Sequence, residues 1–500
     1  MNRATAHTQR DSQRFSQNGI QSIHLLWAGM IFVTVALAIL QFFVPPVFLI
    51  AGVIALLAGA YTLTRPYLGL LLYYFIMVLR PAELVPALQA VGVEKVMVGL
   101  LVVSYVLVSL IRDKKIEIVT HPILWSILAF FLVQVFSGFV SVETSLTMEH
   151  NIDYAKGIVF VLLIVQVVNS PERFKGFIWL HVVLMAYLAI SGVIAYMTGN
   201  VIHVQGIDRI KSLTSAGGDP NALAASMDIA LPFVLILIGL ARKMWLKAVL
   251  VFFAGSMVYA VILCGSRGGM LGLLSGMFFL WLTSKRKLLY GALAVVGIFL
   301  AISFMPQQYI ERYSTVEKYA EGGEVDESSR LRLEGWKAGW HMFLDHPIMG
   351  VGAATFGWAH AEYYSPQFSR NSLKAHSMYF QVIAELGFVG VVSFFWLLFL
   401  IVRYNRHLQN RLQGGGDEGE WFGGVSRAIV ISIFVLCITA IFGHSLYRFH
   451  WLLVGALTVA MTRGTSAFEG HPSNHMKSVS DEAMSLRLIG IAPITRNKGE

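Results

Sequence analysis

The pattern with the clearest chemical use is His376-Ser377, nine residues, Gly387, two residues, then Gly390. His376 closes a long polar loop and opens an apolar stretch, so it belongs where membrane meets water. An imidazole at such a place accepts a proton from a sugar hydroxyl near neutral pH. Gly387 and Gly390 lie about three turns further along and are expected to let a neighbouring helix approach closely. The plainer alternative is a histidine that only caps a helix at the interface.

Three arginine-bearing segments accompany it. Arg332-Leu333-Glu334-Gly335-Trp336, with Arg330 just before, is followed by Asp345-His346-Pro347-Ile348-Met349-Gly350-Val351-Gly352 and then Phe356-Gly357. Proline and spaced glycines mark tight turns whose backbone amides can face an anion, so Gly350 and Gly352 are candidate contact positions. Arg209 precedes Gly217-Gly218-Asp219-Pro220-Asn221. There Asp219 or Asn221 suits a helix N-cap and Pro220 a first helical position. Ser266-Arg267-Gly268-Gly269 places a cation in a tight turn between two apolar stretches. Such an arginine carries a desolvation cost unless an anionic ligand or a protein carboxylate partners it. Glu385 and Asp228 lie inside apolar stretches, where a carboxylate is either functional or a hydrogen-bonded structural group.

Arginine forks bind phosphate in bidentate fashion and stay charged at every working pH. Arg209, Arg267, Arg332 or Arg330, and His376 therefore suit transfer of a sugar from a lipid diphosphate. The cations stabilise charge on the departing diphosphate, and the histidine activates the acceptor hydroxyl. The chain has no GxxxxGK[ST] loop for nucleotide phosphates, no HExxH and no DxD, and His341 and His346 are wrongly spaced for one helical face. The expectation is a reaction that needs no metal and no cofactor.

These residues must be held by membrane helices. Of 500 residues, 56% are hydrophobic and only 13% charged, with a mean hydropathy of +0.65. Soluble chains hold about 45–50% apolar and roughly 25% charged residues. Apolar stretches of about 20 residues recur, each long enough to cross a bilayer. The fold expected is all-α: a polytopic transmembrane helical bundle of about 12–14 spans, with one large periplasmic loop containing short helices. The first spans are placed near 25–43 and 47–63, another near 288–304, and the last near 447–462. The parts expected are a cytoplasmic tail over 1–24, a first bundle section over 25–304, the large loop over 305–375, a second bundle section over 376–463 and a cytoplasmic tail over 464–500.

Basic clusters set the orientation. Arg112, Lys114 and Lys115, then Arg242, Lys243 and Lys247, then Lys285, Arg286 and Lys287, then Arg403, Arg406 and Arg411 all fall on one side when the spans alternate. That side is taken as cytoplasmic, which puts Arg209, Arg267, Arg332 and His376 on the other. The net charge of +9 is therefore membrane topology and not a nucleic-acid footprint. Cys264 and Cys437 both sit in apolar stretches and form no metal motif or disulfide framework.

At these residues the chain resembles the bacterial O-antigen ligase / O-antigen polymerase superfamily of polytopic membrane glycosyltransferases. The resemblance is strongest over about 328–402 and extends back to about 205. It implies a multi-pass protein of the bacterial inner membrane, with its active site facing the periplasm and an inverting, metal-independent reaction. It implies an undecaprenyl-diphosphate-linked glycan donor, a lipid or glycan acceptor and membrane lipids as partners, with no nucleic acid. By position, His376 matches the ligase histidine, Arg209 and Arg267 match the diphosphate-contacting arginines, and Arg332 or Arg330 matches the loop arginine. Ser377 stands where asparagine is commoner. The favoured reading is an O-antigen ligase acting on lipid A–core. A polysaccharide polymerase, a protein O-oligosaccharyltransferase and a transporter of lipid-linked glycans follow in that order. A transporter usually carries related halves or broken helices deep in the membrane, and neither is visible in the sequence.

Overall fold

The computed structural model describes residues 57–84, 92–112, 114–115, 117–204, 207–210, 219–283, 287–288, 291, 295, 307–309, 327–364 and 373–466. The span expected near 25–43, parts of those near 47–63 and 288–304, the tail over 1–24, and all of the tail over 464–500 except 464–466, which end the last helix, lie outside these residues.

The described chain is all-α apart from one hairpin. Besides short helical segments at 57–64 and Pro81–Leu84, the first helices are α1 (Pro66–Leu79), α2 (Val93–Ile111), α3 (Pro122–Ser137), α4 (Thr144–Val167) and α5 (Pro171–Met197). Strands β1 (Ile202–Val204) and β2 (Ile207–Arg209) then pair antiparallel, with Ile202 opposite Arg209. Helices α6 (Pro220–Leu240), α7 (Met244–Leu263) and α8 (Arg267–Thr283) follow. The large loop holds α9 (Glu327–Asp345) and the short α10 (Phe356–Ala359), which runs into a π turn at His360–Tyr364. The chain closes with α11 (Met378–Arg411), α12 (Gly416–Thr439) and α13 (Phe449–Ser466). Among the described residues, seven helices are long and apolar enough to cross a membrane: α2, α4, α5, α6, α7, α11 and α12.

Local chemistry explains the helix starts. Proline occupies the first turn of α1, α3, α5 and α6, where its missing N–H has no role to lose. Ser170 caps α5, accepting from the Arg173 amide at 3.4 Å. Asp219 caps α6, accepting from the amides of Asn221 at 2.8 Å and Ala222 at 3.1 Å, as its spacing before Pro220 predicts.

Small residues bring α8 in close. An added Cβ at Gly269 meets the Ala224 side chain at 2.6 Å, and one at Gly276 meets Val435 at 3.1 Å. Between them Gly272 faces Asp228 of α6 and Thr439 of α12. This glycine face seats α8 between α6 and α12 and fixes where Arg267, its first residue, points. At the far end of the bundle, the Asn405 amide donates to Thr458 at 2.7 Å and the Ser426 hydroxyl to Asn405 at 2.9 Å, locking α11, α12 and α13. Outward-facing Phe388, Val392, Trp396 and Phe399 of α11 and Phe252 of α7 present an apolar surface.

Helix α11 is not one continuous helix, and this corrects two expectations. Gly387 adopts φ 60, ψ −158 and breaks it. The atoms crowding Gly387 belong to a loop, not to a neighbouring helix: an added Cβ meets the Ile348 carbonyl at 2.5 Å and the Met349 nitrogen at 2.7 Å. Gly390 packs against Leu386 of its own helix, on the next turn beyond the break. The sequence also gave no sign of a helix broken inside an apolar stretch. The break persists because the Pro347–Gly352 backbone fills it. The amides of Val351 and Gly352 donate to the carbonyls of Ala384 and Glu385 at 2.8 and 3.0 Å, and those of Phe388 and Val389 donate to Pro347 and Ile348 at 2.8 and 3.2 Å. Gly350 (φ 68) lies against the backbone of Ala384 and Glu385, and Gly352 (φ 111) against Ser141. The amides of Val351 and Gly352 therefore bind helix carbonyls, and that of Gly350 binds the His346 carbonyl at 3.0 Å, so none of them faces an anion.

Gly387→Ala is expected to destabilise the protein by about 2–4 kcal/mol, through a strained φ and a backbone clash. Gly423→Ala, where an added Cβ has no atom within 4 Å, is expected to change little. Thermal unfolding of the two purified variants in detergent measures the difference; equal midpoints would contradict a bonded helix break.

Candidate functional site

Four segments distant in sequence end at one place. Arg209 closes the hairpin after α5. It is buried, its Nε donating to the Cys264 carbonyl at 2.6 Å and its Nη2 to the Asn221 side chain at 2.9 Å. The hairpin itself is tied to the end of α7 by the Ile210 amide, which donates to the Leu263 carbonyl at 3.2 Å. The turn into α8 needs Gly265 (φ 55), whose missing Cβ leaves room for Ile207 and Tyr309. Ser266 then caps the helix, accepting from the Gly269 amide at 3.1 Å, and Arg267 follows directly.

Helix α9 brings the loop arginine. Gly335 lets it lie against the Lys374 carbonyl, which an added Cβ meets at 2.9 Å. Trp336 stacks on Phe380 with centroids 5.4 Å apart, and the Arg332 guanidinium lies 5.7 Å over the Phe442 ring. Arg332 and Arg330 are two residues apart, so roughly 200° separates them around the helix. Arg332 faces inward and Arg330 is exposed outside the cavity.

Arg209, Arg267, Arg332 and His376 line one cavity of about 120 Å³. Asp219, Asn221, His444, Arg448 and His450 also line it. The volume accommodates a phosphate-sized group and a few waters but not an oligosaccharide, which has to extend through the open side. Ser377 is buried at the start of α11 and makes no side-chain cap bond.

His376 stands just before α11 with φ 49, a strained conformation for a residue with a side chain. Its ring lies edge-on to His444, with centroids 5.9 Å apart, and has no hydrogen-bond partner among the described residues. Burial pulls its pKa below the ordinary histidine range, and the cations Arg332 and Lys374 lower it further. Burial, Lys374 and Arg448 bring His444 down to about 4. Both rings are thus neutral near pH 7. Burial works against ionisation of Asp219, but Arg448, 3.8 Å away, and the two helix amides outweigh it and hold the carboxyl below its ordinary value.

His444 and Arg448 were not among the residues singled out from sequence. Their signal is a polar run, Gly443-His444-Ser445, in the turn between two apolar stretches. Starting the last span at about 447 hides Arg448 inside it; the helix begins at Phe449.

Glu385 is buried below the cavity and is structural. Its carboxylate accepts from the amides of Ala354 at 3.1 Å and Phe356 at 3.3 Å and from the Gln381 side chain at 3.4 Å. Asp228 is buried between α6 and α8, and its oxygens have no hydrogen-bond partner among the described residues. Among the described residues no group of three His, Cys, Asp or Glu side chains is arranged to hold a metal ion.

Residues 250–395 match the family described as O-Antigen ligase. That segment runs from α7 into α11 and contains Arg267, Arg332 and His376. That match covers under a third of the chain and makes this segment similar to O-antigen ligases. The chain is also similar to the teichuronic acid biosynthesis protein TuaE of Bacillus subtilis (strain 168), at 22% identity over 360 residues, 67% of this chain and 71% of that one. Arg209, His444 and Arg448 lie outside the matched family segment and join it only in the fold.

Glu385→Gln is expected to turn an amide NH2 toward donors and leave one buried backbone N–H unsatisfied, at about 1–3 kcal/mol. Hydrogen exchange over 354–356 should quicken while exchange around Asn405 and Ser426 stays unchanged. Uniform quickening, or none, would contradict the local role given to Glu385.

Proposed function

We propose that this chain transfers a glycan from an undecaprenyl-diphosphate-linked donor to an acceptor hydroxyl at the periplasmic face of the bacterial inner membrane. The observation that carries the reading is the single cavity holding four arginines and a neutral histidine. The match of residues 250–395 to an O-antigen ligase family and the likeness to a teichuronic acid biosynthesis protein support a polysaccharide-assembly role.

In this reading the donor diphosphate lies among Arg209, Arg267, Arg332 and Arg448. The acceptor oxygen attacks the anomeric carbon from the side opposite the diphosphate, and a new C–O bond forms as the old one breaks. The electron pair of the broken bond goes to the diphosphate oxygen. The proton of the acceptor hydroxyl passes to His376, which its surroundings keep neutral and able to accept it. Attack from the opposite side inverts the anomeric centre. Guanidinium groups supply the positive charge that a divalent cation supplies in other glycosyl transfers, which supports a metal-independent reaction. We take lipid A–core as the first acceptor to test. The relative's part in teichuronic acid biosynthesis favours a growing glycan chain as the second.

His376→Ala is expected to lower transfer by about 10²–10⁴-fold while donor binding stays within a few-fold. Arg267→Ala is expected to weaken donor binding itself. Transfer from purified undecaprenyl-diphosphate-linked glycan to lipid A–core or to a second lipid-linked repeat measures the first, and donor titration the second. Full transfer by His376→Ala would contradict the assignment.

The pH dependence has a definite sign. Protonation disables the base, so activity falls on the acid side. Cations lower the pKa of His376, and a bound diphosphate offsets them and raises it. The acid limb of kcat should therefore lie at higher pH than that of kcat/KM. Coincident limbs, or the reverse order, would contradict a diphosphate bound beside the histidine.

A further inference from the structure

A second and larger cavity, of about 590 Å³, adjoins the arginine cavity, and the two share His444. Its lining differs in kind. Trp358, Glu362, Lys374, Gln381 and Glu385 contribute to its wall. Its size falls within the roughly 300–1,000 Å³ of small-molecule sites, which combine apolar and aromatic walls with a few placed polar groups. Trp358 is half-buried and is held edge-on by Tyr363, with centroids 5.6 Å apart. Trp358 is carried by α10, whose start is fixed because the Phe356 amide donates to Glu385.

The charge balance separates the two cavities. The first gathers four arginines around one carboxylate. In the second, Glu385 is buried and bound by backbone amides, which leaves Glu362 against Lys374 and no excess of positive charge to hold a diphosphate. An indole face covers the C–H face of a sugar ring, while carboxylate and amide groups take its hydroxyls. The second cavity opens beside His376, since Lys374 and Ala375 on its wall immediately precede that residue.

We infer that this second cavity is the acceptor subsite: it binds a glycan, stacked on Trp358, and presents one of its hydroxyls past His444 to His376. The inference rests on the glycan-transfer reading above and adds where the second substrate lies. Trp358 is a binding residue in this account, and Glu385 positions it without touching the glycan.

The test uses the full chain in lipid nanodiscs and two lipid-free probes: the oligosaccharide repeat released from the donor by mild acid, and the oligosaccharide of delipidated lipid A–core. Saturation-transfer NMR titrations give their dissociation constants without any turnover. The expected result is that one probe binds, that Trp358→Ala weakens it about tenfold, and that Trp358→Phe restores most of the loss. Arg267→Ala should leave that binding unchanged. The probe that binds identifies the acceptor class. Binding of neither probe, equal binding by Trp358→Ala, or an equal loss in Arg267→Ala would overturn the inference. A wild-type chain that binds a probe but makes no product from the donor would instead sink the proposed transfer reaction and leave the glycan cavity standing.

Discussion

The architecture of the site depends on the backbone bonding between the Pro347–Gly352 loop and the broken helix α11. A helix interrupted inside an apolar stretch exposes amides and carbonyls that lipid cannot satisfy, and each lost bond costs several kcal/mol. Here the loop supplies the missing partners from both sides of Gly387. One consequence is rigidity. Helix α10 and its tryptophan, the end of α9 and the start of α11 become one block, with Glu385 holding the amides at Ala354 and Phe356. A second consequence is discrimination: the break is filled by protein backbone, which sets it apart from the broken helices that bind ions or substrate in transporters.

Upon that block, electrostatics distinguish the two cavities. Arginines from four separate segments, one of them just after a turn shaped by Gly265, converge on one small cavity. Burial keeps the neighbouring imidazoles neutral, and Arg332 beside His376 and Arg448 beside His444 add to it, so cations that would hold a diphosphate also help prepare the base. The adjoining cavity has no such excess of positive charge, and His444 marks the border between them. In the proposed transfer, a charged donor and a glycan acceptor occupy separate cavities until their reacting atoms meet near His376.

Much of this was legible in the sequence, for physical reasons. Apolar stretches of bilayer length leave no alternative to helices, so the all-α fold followed from composition and spacing. The convergence of Arg209, Arg267, Arg332 and His376 followed from placing basic clusters on one side of the membrane and asking why the remaining cations lay on the other. The choice between Arg330 and Arg332 was beyond the sequence because it depends on the rotational phase of α9, which is set by Gly335 and Trp336 packing against the chain near α11. Gly387 was misread because a glycine in an apolar stretch looks the same whether it admits a helix or breaks one; only the partner loop decides. Arg448 was missed by a two-residue error in a helix start, where one turn of helix separates a buried position from an interfacial one.

The most direct test of the account is a cryo-electron microscopy structure of the chain in nanodiscs with undecaprenyl diphosphate bound. The account predicts diphosphate density in the cavity formed by Arg209, Arg267, Arg332 and Arg448, within reach of the His376 ring. A second basic cavity, lined by Arg65, Arg112 and Arg173, lies at the opposite end of the bundle. Diphosphate density there, with the first cavity empty, would contradict the account.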